Sequence, residues 1–420
     1  MSGKTYMCID MKSFYASVEC VERGINPMEG CLVVADESRG KGTICLAVSP
    51  KLKALGVKNR CRLFEIPKHL KYVIAPPRMQ KYIDYAAEIY AIYLKFLSKD
   101  DIYVYSIDES FIDATEYLQL YGKTPRGFAK MLIEEIATEI GVPATAGIGS
   151  NLYLAKIALD ITAKKSPDRI GELNEDSFRR TLWDHQPLTD FWGIARGTAK
   201  RLAKYGIYTM RGIAECPERV LYKEFGINAE LMIDHAFGRE SCTMRDIKNY
   251  SPKSRSVSSS QILFEDYSRE KAAIVLEEMT RATTLDLIKR GLIARRVSVG
   301  VGYSSSQSAP TGGSTKLPNA TAVFDYILPF VMKIYQKTTV PGVPIRRLSI
   351  AFDELSDECA EGYDLFTDPE EMEKLKRLGR TTLEIQTKFG KNSLFTATDL
   401  QEGATQLERN KLIGGHASGE

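Results

Sequence analysis

Three acidic residues of this 420-residue chain could do chemistry together. Asp10 ends a short apolar run, TYMCI, and the pair Asp108 and Glu109 separates two others, IYVYSI and SFIDA. A lone carboxylate at a strand end is ordinarily a solvated residue. Three carboxylates brought to one edge repel one another, and their convergence is costly without a counter-charge. Hard divalent cations resolve that conflict, because Mg²⁺ takes a few carboxylates, keeps several waters and reaches phosphate oxygens. Two such ions about 3.5–4 Å apart can activate a hydroxyl nucleophile and stabilise a leaving phosphate.

That convergence needs elements to position it. Residues 5–9 read as a buried strand, and 102–107 and 110–114 as two strands flanking a tight turn at Asp108 and Glu109. Between them, Tyr82, Tyr85, Ala86, Ile89, Tyr93 and Phe96 recur at three- and four-residue intervals, which predicts a helix over 79–97. Phe128, Leu132 and Ile136 mark a second helix, and PATAGIG (143–149) a last strand. The order strand, helix, strand, strand, helix, strand is a split βαβ sheet of ferredoxin-like type, an α+β fold. About seventy residues separate the first strand from the first helix, too many for a structureless loop, so a small inserted subdomain is expected.

A mainly helical stretch runs from about Asn151 to 240. Within it, Gly193 to Gly197 precede the apolar-periodic TAKRLAKYGI and are similar to a helix-hairpin-helix, whose glycine turn offers backbone N–H groups to a DNA phosphate. Residues 241–254 are polar, contain a proline and read as a linker. Beyond them a strand to Phe264, a helix carrying Ala272, Leu276, Met279, Thr283 and Leu287 on one face, RRVSVGVGYS, GGSTKL, a helix through Phe324, Leu328 and Ile334, and IRRLSIAF repeat the same split order. The tail from about 357 is charged and partly helical, and its end, GGHASGE, is expected to be disordered.

The length predicts two to four domains. With no apolar stretch long enough to span a bilayer, and no signal-peptide zones in MSGKTYMCID, a cytoplasmic protein without a membrane partner is expected. Eight cysteines with no CxxC, and four histidines far apart, indicate neither a zinc site nor a disulfide framework. The charge is unevenly spread: residues 245–350 hold 16 Lys/Arg against 8 Asp/Glu, although the whole chain carries only +3. A basic segment of this kind suits a polyanionic partner, and equally a solvated charged face.

IDMKSFYASVE (9–19), YSIDESFIDAT (105–115) and GIGSNLYLAKIA (147–158) together resemble the Y-family of DNA polymerases, in its UmuC-like branch, and the likeness extends from about residue 5 to residue 355. The resemblance implies template-directed addition of deoxynucleotides to a primer 3′ end, with bypass of damaged bases, by a right-handed polymerase. Its parts would be a palm (1–20 and 75–165), a fingers insertion (21–74), a helical thumb (166–240), the linker (241–254), a little finger (255–356) and a C-terminal tail (357–420). By matching position Asp10, Asp108 and Glu109 would be catalytic and, with the backbone carbonyl of Met11, would hold two Mg²⁺ ions, for which Mn²⁺ could substitute. Lys12 departs from the pattern, since many members carry an acid there. Phe14 and Tyr15 would line the dNTP site, with Tyr15 the steric gate under the sugar. Lys53 would reach the triphosphate, as would Lys164 or Lys165, between which the alignment does not choose; an exposed helix face is the plainer reading of Lys53. Primer-template DNA would meet Gly193, Gly197, Arg255, Arg295, Arg296, Arg346 and Arg347, although strand alternation lets only some of these arginines face the backbone. Tyr363 to Phe366 (YDLF) resembles a sliding-clamp peptide without its usual initial Gln; a buried anchor for the tail is the alternative.

Two other readings stand beside this one. Nucleotidyl cyclases also build a two-metal site on such a sheet, without a template, and a DNA-binding scaffold could keep the fold with a dead palm. The basic second domain favours a polymerase over a cyclase, and the retention of all three carboxylates disfavours the dead palm.

Overall fold

TYMCIDM forms a nearly continuous buried run, and β1 (Tyr6–Met11) accordingly lies at the centre of a sheet. The computed structural model describes residues 3–419 apart from 253–255, 305–307, 361, 363 and 366. It divides into two units, Met1–Tyr250 with His416–Glu420, and Ser251–Gly415.

In the first unit, Ser13 adopts a left-handed backbone (φ 51°) that turns the chain from β1 into α1 (Phe14–Val21). The insertion then builds β2 (Leu32–Val34), β3 (Ala47–Val48), α2 (Pro50–Ala54) and β4 (Val73–Ala75). Its three strands pair in the order β3-β2-β4 around a core that includes Val33, Val48, Leu52 and Leu63. After it come α3 (Met79–Phe96), β5 (Ile102–Val104), β6 (Glu109–Asp113), α4 (Thr115–Leu120), α5 (Pro125–Ile140) and β7 (Ala144–Gly149). The boundaries of α5 follow from its sequence. Thr124 accepts a hydrogen bond from Gly127 N–H, Pro125 fills the first turn, and Gly141 ends the helix at φ 77°.

The chain next forms α6 (Leu152–Ile157), a wide π-type turn over Ala158–Thr162, and β8 (Ile170–Leu173). The strand order is β5-β6-β1-β7-β8, so the expected four strands gain a fifth, β8, parallel to β7. Helix α6 and the turn lie directly on the backbone of these two strands. A Cβ on Gly147 or Gly149 would fall 2.1 or 2.2 Å from backbone atoms of Ala155, and one on Gly171 2.4 Å from the Ala158 carbonyl. Only glycine permits this approach.

Five helices follow: α7 (Glu175–Leu182), α8 (Arg196–Ala203), α9 (Met210–Glu215), α10 (Glu218–Phe225) and α11 (Asn228–Ala236). They share a core of Phe178, Leu202, Ile213 and Leu221 with Tyr153 and Leu154 of α6. The polar segment that reads as a linker contains α12 (Met244–Asn249), capped reciprocally by Thr243 and Asp246, and Met244 is buried against Tyr6, Cys8 and Phe111. The end of the chain also differs from expectation. Gln80 N–H donates to the Ser418 carbonyl at 2.9 Å, and Gly419 lies against Arg78.

The second unit contains β9 (Val257–Tyr267), α13 (Arg269–Lys289), β10 (Leu292–Tyr303), β11 (Thr311–Thr321), α14 (Phe324–Thr338) and β12 (Ile345–Asp357), with a sheet order β11-β10-β12-β9. Val275, Leu276 and Met279 of α13 and Ile327 and Val331 of α14 are buried with Val297, Val299, Leu348 and Ile350 of the strands. A further helix, α15 (Pro369–Phe389), carries the tail.

Candidate active site

The register of the first sheet brings the acids together. β1 and β6 run antiparallel with Asp10 opposite Glu109, and Met11 N–H donates to the Asp108 carbonyl at 2.9 Å. Asp108 stands at the turn before β6, where Ser106 Oγ donates to its carboxylate at 2.7 Å. Burial first, and then the charges of Asp108 and Glu109, push the Asp10 carboxyl up to about 7, against the pull of Lys156.

Lys156 is the residue that the sequence reading missed. It lies in α6, within AKIA, where nothing in the local sequence sets it apart from a surface lysine. The backbone contact of α6 with β7 instead buries it, and its ammonium lies 2.8 Å from Glu109 Oε1, 2.9 Å from Oε2 and 3.2 Å from Asp160. Burial alone would lower its pKa, but the Glu109 hydrogen bond and the two carboxylate charges outweigh that, and it is held above the ordinary lysine range. Cys8 adds a thiol that donates to Glu109 at 3.1 Å, kept protonated by burial and by the Glu109 charge. Among the described residues no three His, Cys, Asp or Glu side chains are gathered as a ready metal cage. Lys156 instead supplies the positive charge that Glu109 requires. The oxygens that remain are hard carboxylate donors, which is the chemistry Mg²⁺ prefers.

Further basic groups lie within electrostatic reach of Asp10. Lys53 of α2 donates to Ser13 Oγ at 2.8 Å, and its pKa is lowered by burial and by the charges of Lys12 and Lys164, against the pull of Asp10. Of the exposed pair Lys164 and Lys165, Lys164 is thus the one whose charge reaches Lys53. Lys12 is half-buried, and its pKa is depressed by burial and then by Arg169. Lys12, Lys53, Lys164 and Arg169 therefore form a cationic side to an anionic edge. Phe14 is buried, whereas Tyr15 is half-buried with its ring stacked on Tyr82 at 4.5 Å.

The other predicted residues belong to other elements. Gly193 turns at φ 89°, nothing occupies the space where a Cβ on Gly193 or Gly197 would project, and α8 begins at Arg196 without a side-chain cap. In the second unit, β12 shifts register between Ile345 and Arg347, opposite Tyr303 and Gly302 of β10. The extra residue interrupts the alternation expected of a strand, so Arg346 and Arg347 both avoid the core between buried Ile345 and Leu348. Arg346 lies 3.6 Å from Asp266, and Arg347 Nε donates to Ser260 Oγ. A similar shift lies at Arg295, which is exposed, while Arg296 pairs with Glu354 at 2.8 Å. Arg255, Tyr363 and Phe366 fall outside the described residues, and Leu365 is 99% exposed. No described helix is long and apolar enough to cross a membrane.

Comparison with known proteins shows the family. Residues 9–160 match the model of the impB/mucB/samB family, and residues 254–365 match the model of that family's C-terminal domain. The chain is 32% identical over 421 residues to the "Putative UV-damage repair protein UvrX" of Bacillus subtilis (strain 168), covering 99% of this chain and 98% of the relative. It is also 32% identical over 430 residues to DNA polymerase IV 2 of the same organism, covering 99% of each. Among solved structures, a Y-family DNA polymerase chimera (Dbh-Dpo4(243-245)-Dbh) shares the fold with a TM-score of 0.64 at 21% identity, covering 83% of this chain and 98% of that one. The chain therefore belongs to the Y-family of DNA polymerases, the UmuC- and DinB-like nucleotidyltransferases of translesion synthesis.

Proposed function

We propose that this chain extends a primer 3′ end on damaged and undamaged templates, with Asp10, Asp108, Glu109 and the Met11 carbonyl holding two divalent ions. The observation that carries this reading is the pairing of Asp10 with Glu109 beside Asp108, where burial first and then the charges of the other two acids raise the Asp10 carboxyl to about 7. Mg²⁺, or Mn²⁺ in its place, would supply Lewis-acid activation of the primer hydroxyl and charge neutralisation at the leaving pyrophosphate. The chain's own residues do the rest. Lys53 and Lys164 receive the triphosphate, Tyr15 lies under the deoxyribose, and Lys156 holds Glu109 in place.

The first sheet with α3 and α5 would serve as palm, the three-stranded insertion as fingers and α7 to α11 as thumb. The second unit, as little finger, would offer duplex DNA the arginines of β10 and β12, while the glycine turn before α8 offers N–H groups to a phosphate. The exposed Leu365 suits contact with a sliding clamp.

Primer extension opposite an undamaged and an abasic template position, with Mg²⁺ and each dNTP, tests the proposal. Template-directed products on both are expected. Absence of products on both overturns it.

A further inference from the structure

Glu19 is a carboxylate that the chemistry of the site does not use, yet it is fully buried. It lies on α1 one turn beyond Tyr15, on the same side of the helix. Arg78 grips it with two parallel bonds of 2.9 Å, from Nε to Oε1 and from Nη2 to Oε2, and Arg23 donates to Oε2. Its remaining partner is the hydroxyl of Tyr82, which donates to Oε1 at 2.8 Å. Tyr82 of α3 is itself fully buried, and its ring is the one on which Tyr15 is stacked, at 4.5 Å and 24°. Glu22 extends the same junction, accepting from Tyr85 at 2.8 Å and pairing with Lys81 at 2.9 Å and Arg78 at 3.4 Å.

A fully buried carboxylate is costly unless its oxygens are satisfied, and here each bond also fixes a partner. A tyrosine ring has two rotatable side-chain bonds, and anchoring its hydroxyl removes the freedom to tilt. The face of Tyr82 is thereby held in one plane, and Tyr15 rests on that face. A ring without such backing can retreat from an added hydroxyl, whereas a backed ring cannot.

We infer that Glu19 is a positioning residue for sugar selection: with Arg78 it locks Tyr82, and Tyr82 keeps Tyr15 from yielding to a ribonucleotide. The inference rests on the reading of Tyr15 as the wall beneath the deoxyribose. It makes sugar choice depend on a carboxylate that touches neither nucleotide nor metal.

The test is the rNTP to dNTP ratio of kcat/KM in single-nucleotide insertion by the full chain, for wild type, Y15A, Y82F, E19Q and Y15A/Y82F. Y82F removes only the hydroxyl and keeps the packing, so it remains informative where E19Q fails to fold. Y82F and E19Q are expected to raise the ratio by about tenfold, the order that one hydrogen bond to a charged group contributes, mainly through a lower rNTP KM with dNTP kcat preserved. Y15A is expected to raise it further, and Y15A/Y82F no further than Y15A, because the two act in series. If Y15A raises the ratio and Y82F leaves it at the wild-type value, the inference is overturned and the wall stands. If Y15A leaves the ratio unchanged, the wall itself is refuted, and the inference with it.

Discussion

Replacing Asp10 with Asn should stabilise the metal-free protein, by an amount that grows with pH. Folding raises the Asp10 carboxyl from 3.8 to about 7. A carboxyl raised in this way binds its proton more tightly in the folded state, so stability falls as pH climbs from about 4 through about 7. At 1.36 kcal/mol per unit, the ionised group costs folding about 4 kcal/mol near pH 8 and under about 2 kcal/mol near pH 5. These are upper bounds, since the residue keeps a solvent-facing edge. Asn is nearly isosteric and has no charge to bury, so it escapes that cost, while any hydrogen bonds it loses are lost alike at both pH values. Urea denaturation in the presence of EDTA, near pH 5 and near pH 8, measures the difference directly. The Asn variant should gain about 2–3 kcal/mol relative to wild type between the two conditions. Added Mg²⁺ should raise the midpoint of wild type at the higher pH and leave the variant nearly unmoved. An advantage of the same size at both pH values, or a loss at both, would refute the convergence of charge on which the site is built.

Other outcomes can be stated briefly. Asp108→Ala should abolish nucleotide addition and leave duplex affinity nearly intact, as read by primer extension beside fluorescence anisotropy; near-normal turnover would sink its assignment. Arg346→Ala and Arg347→Ala together should weaken binding about equally across DNA sequences and reduce the slope of log affinity against log salt by about 0.9 per lost phosphate contact. An unchanged slope would assign these arginines to Asp266 and Ser260 alone. Gly149→Ala places a methyl group 2.2 Å from the Ala155 nitrogen, which has backbone on both sides and cannot swing away. Its melting curve should show a loss of about 3 kcal/mol or more, at the upper end for overpacked sites, and wild-type stability would show that α6 rides higher on the sheet than described.

The sequence announces the acids because their setting is short-range. An apolar strand running into Asp10, and a turn at Asp108 between two apolar strands, place three carboxylates through β-pairing alone. The second unit is equally legible, since its strands and helices alternate in clean periods. What escapes is set by long-range contact. Lys156 has the local pattern of a surface lysine, and only the seating of α6 on β7 turns it inward. The four residues of β8 are too few to show a period, and they pair with β7 across the intervening helix. Met244 is the one buried residue of α12, so its segment reads as a polar connector. At Arg346 the strand period fails for a local reason, a one-residue bulge whose trace is the pair of arginines between apolar Ile345 and Leu348.

The glycines beneath α6 have a consequence for how firmly the charge beside Glu109 is held. Side chains that fill an ordinary helix-to-sheet joint hop between rotamers and give it some compliance. At Gly147, Gly149 and Gly171 there are none to hop, so the joint transmits displacement with little give. Lys156, carried by α6, is thus mounted on a seam with little give, and its ammonium is held against Glu109 with it.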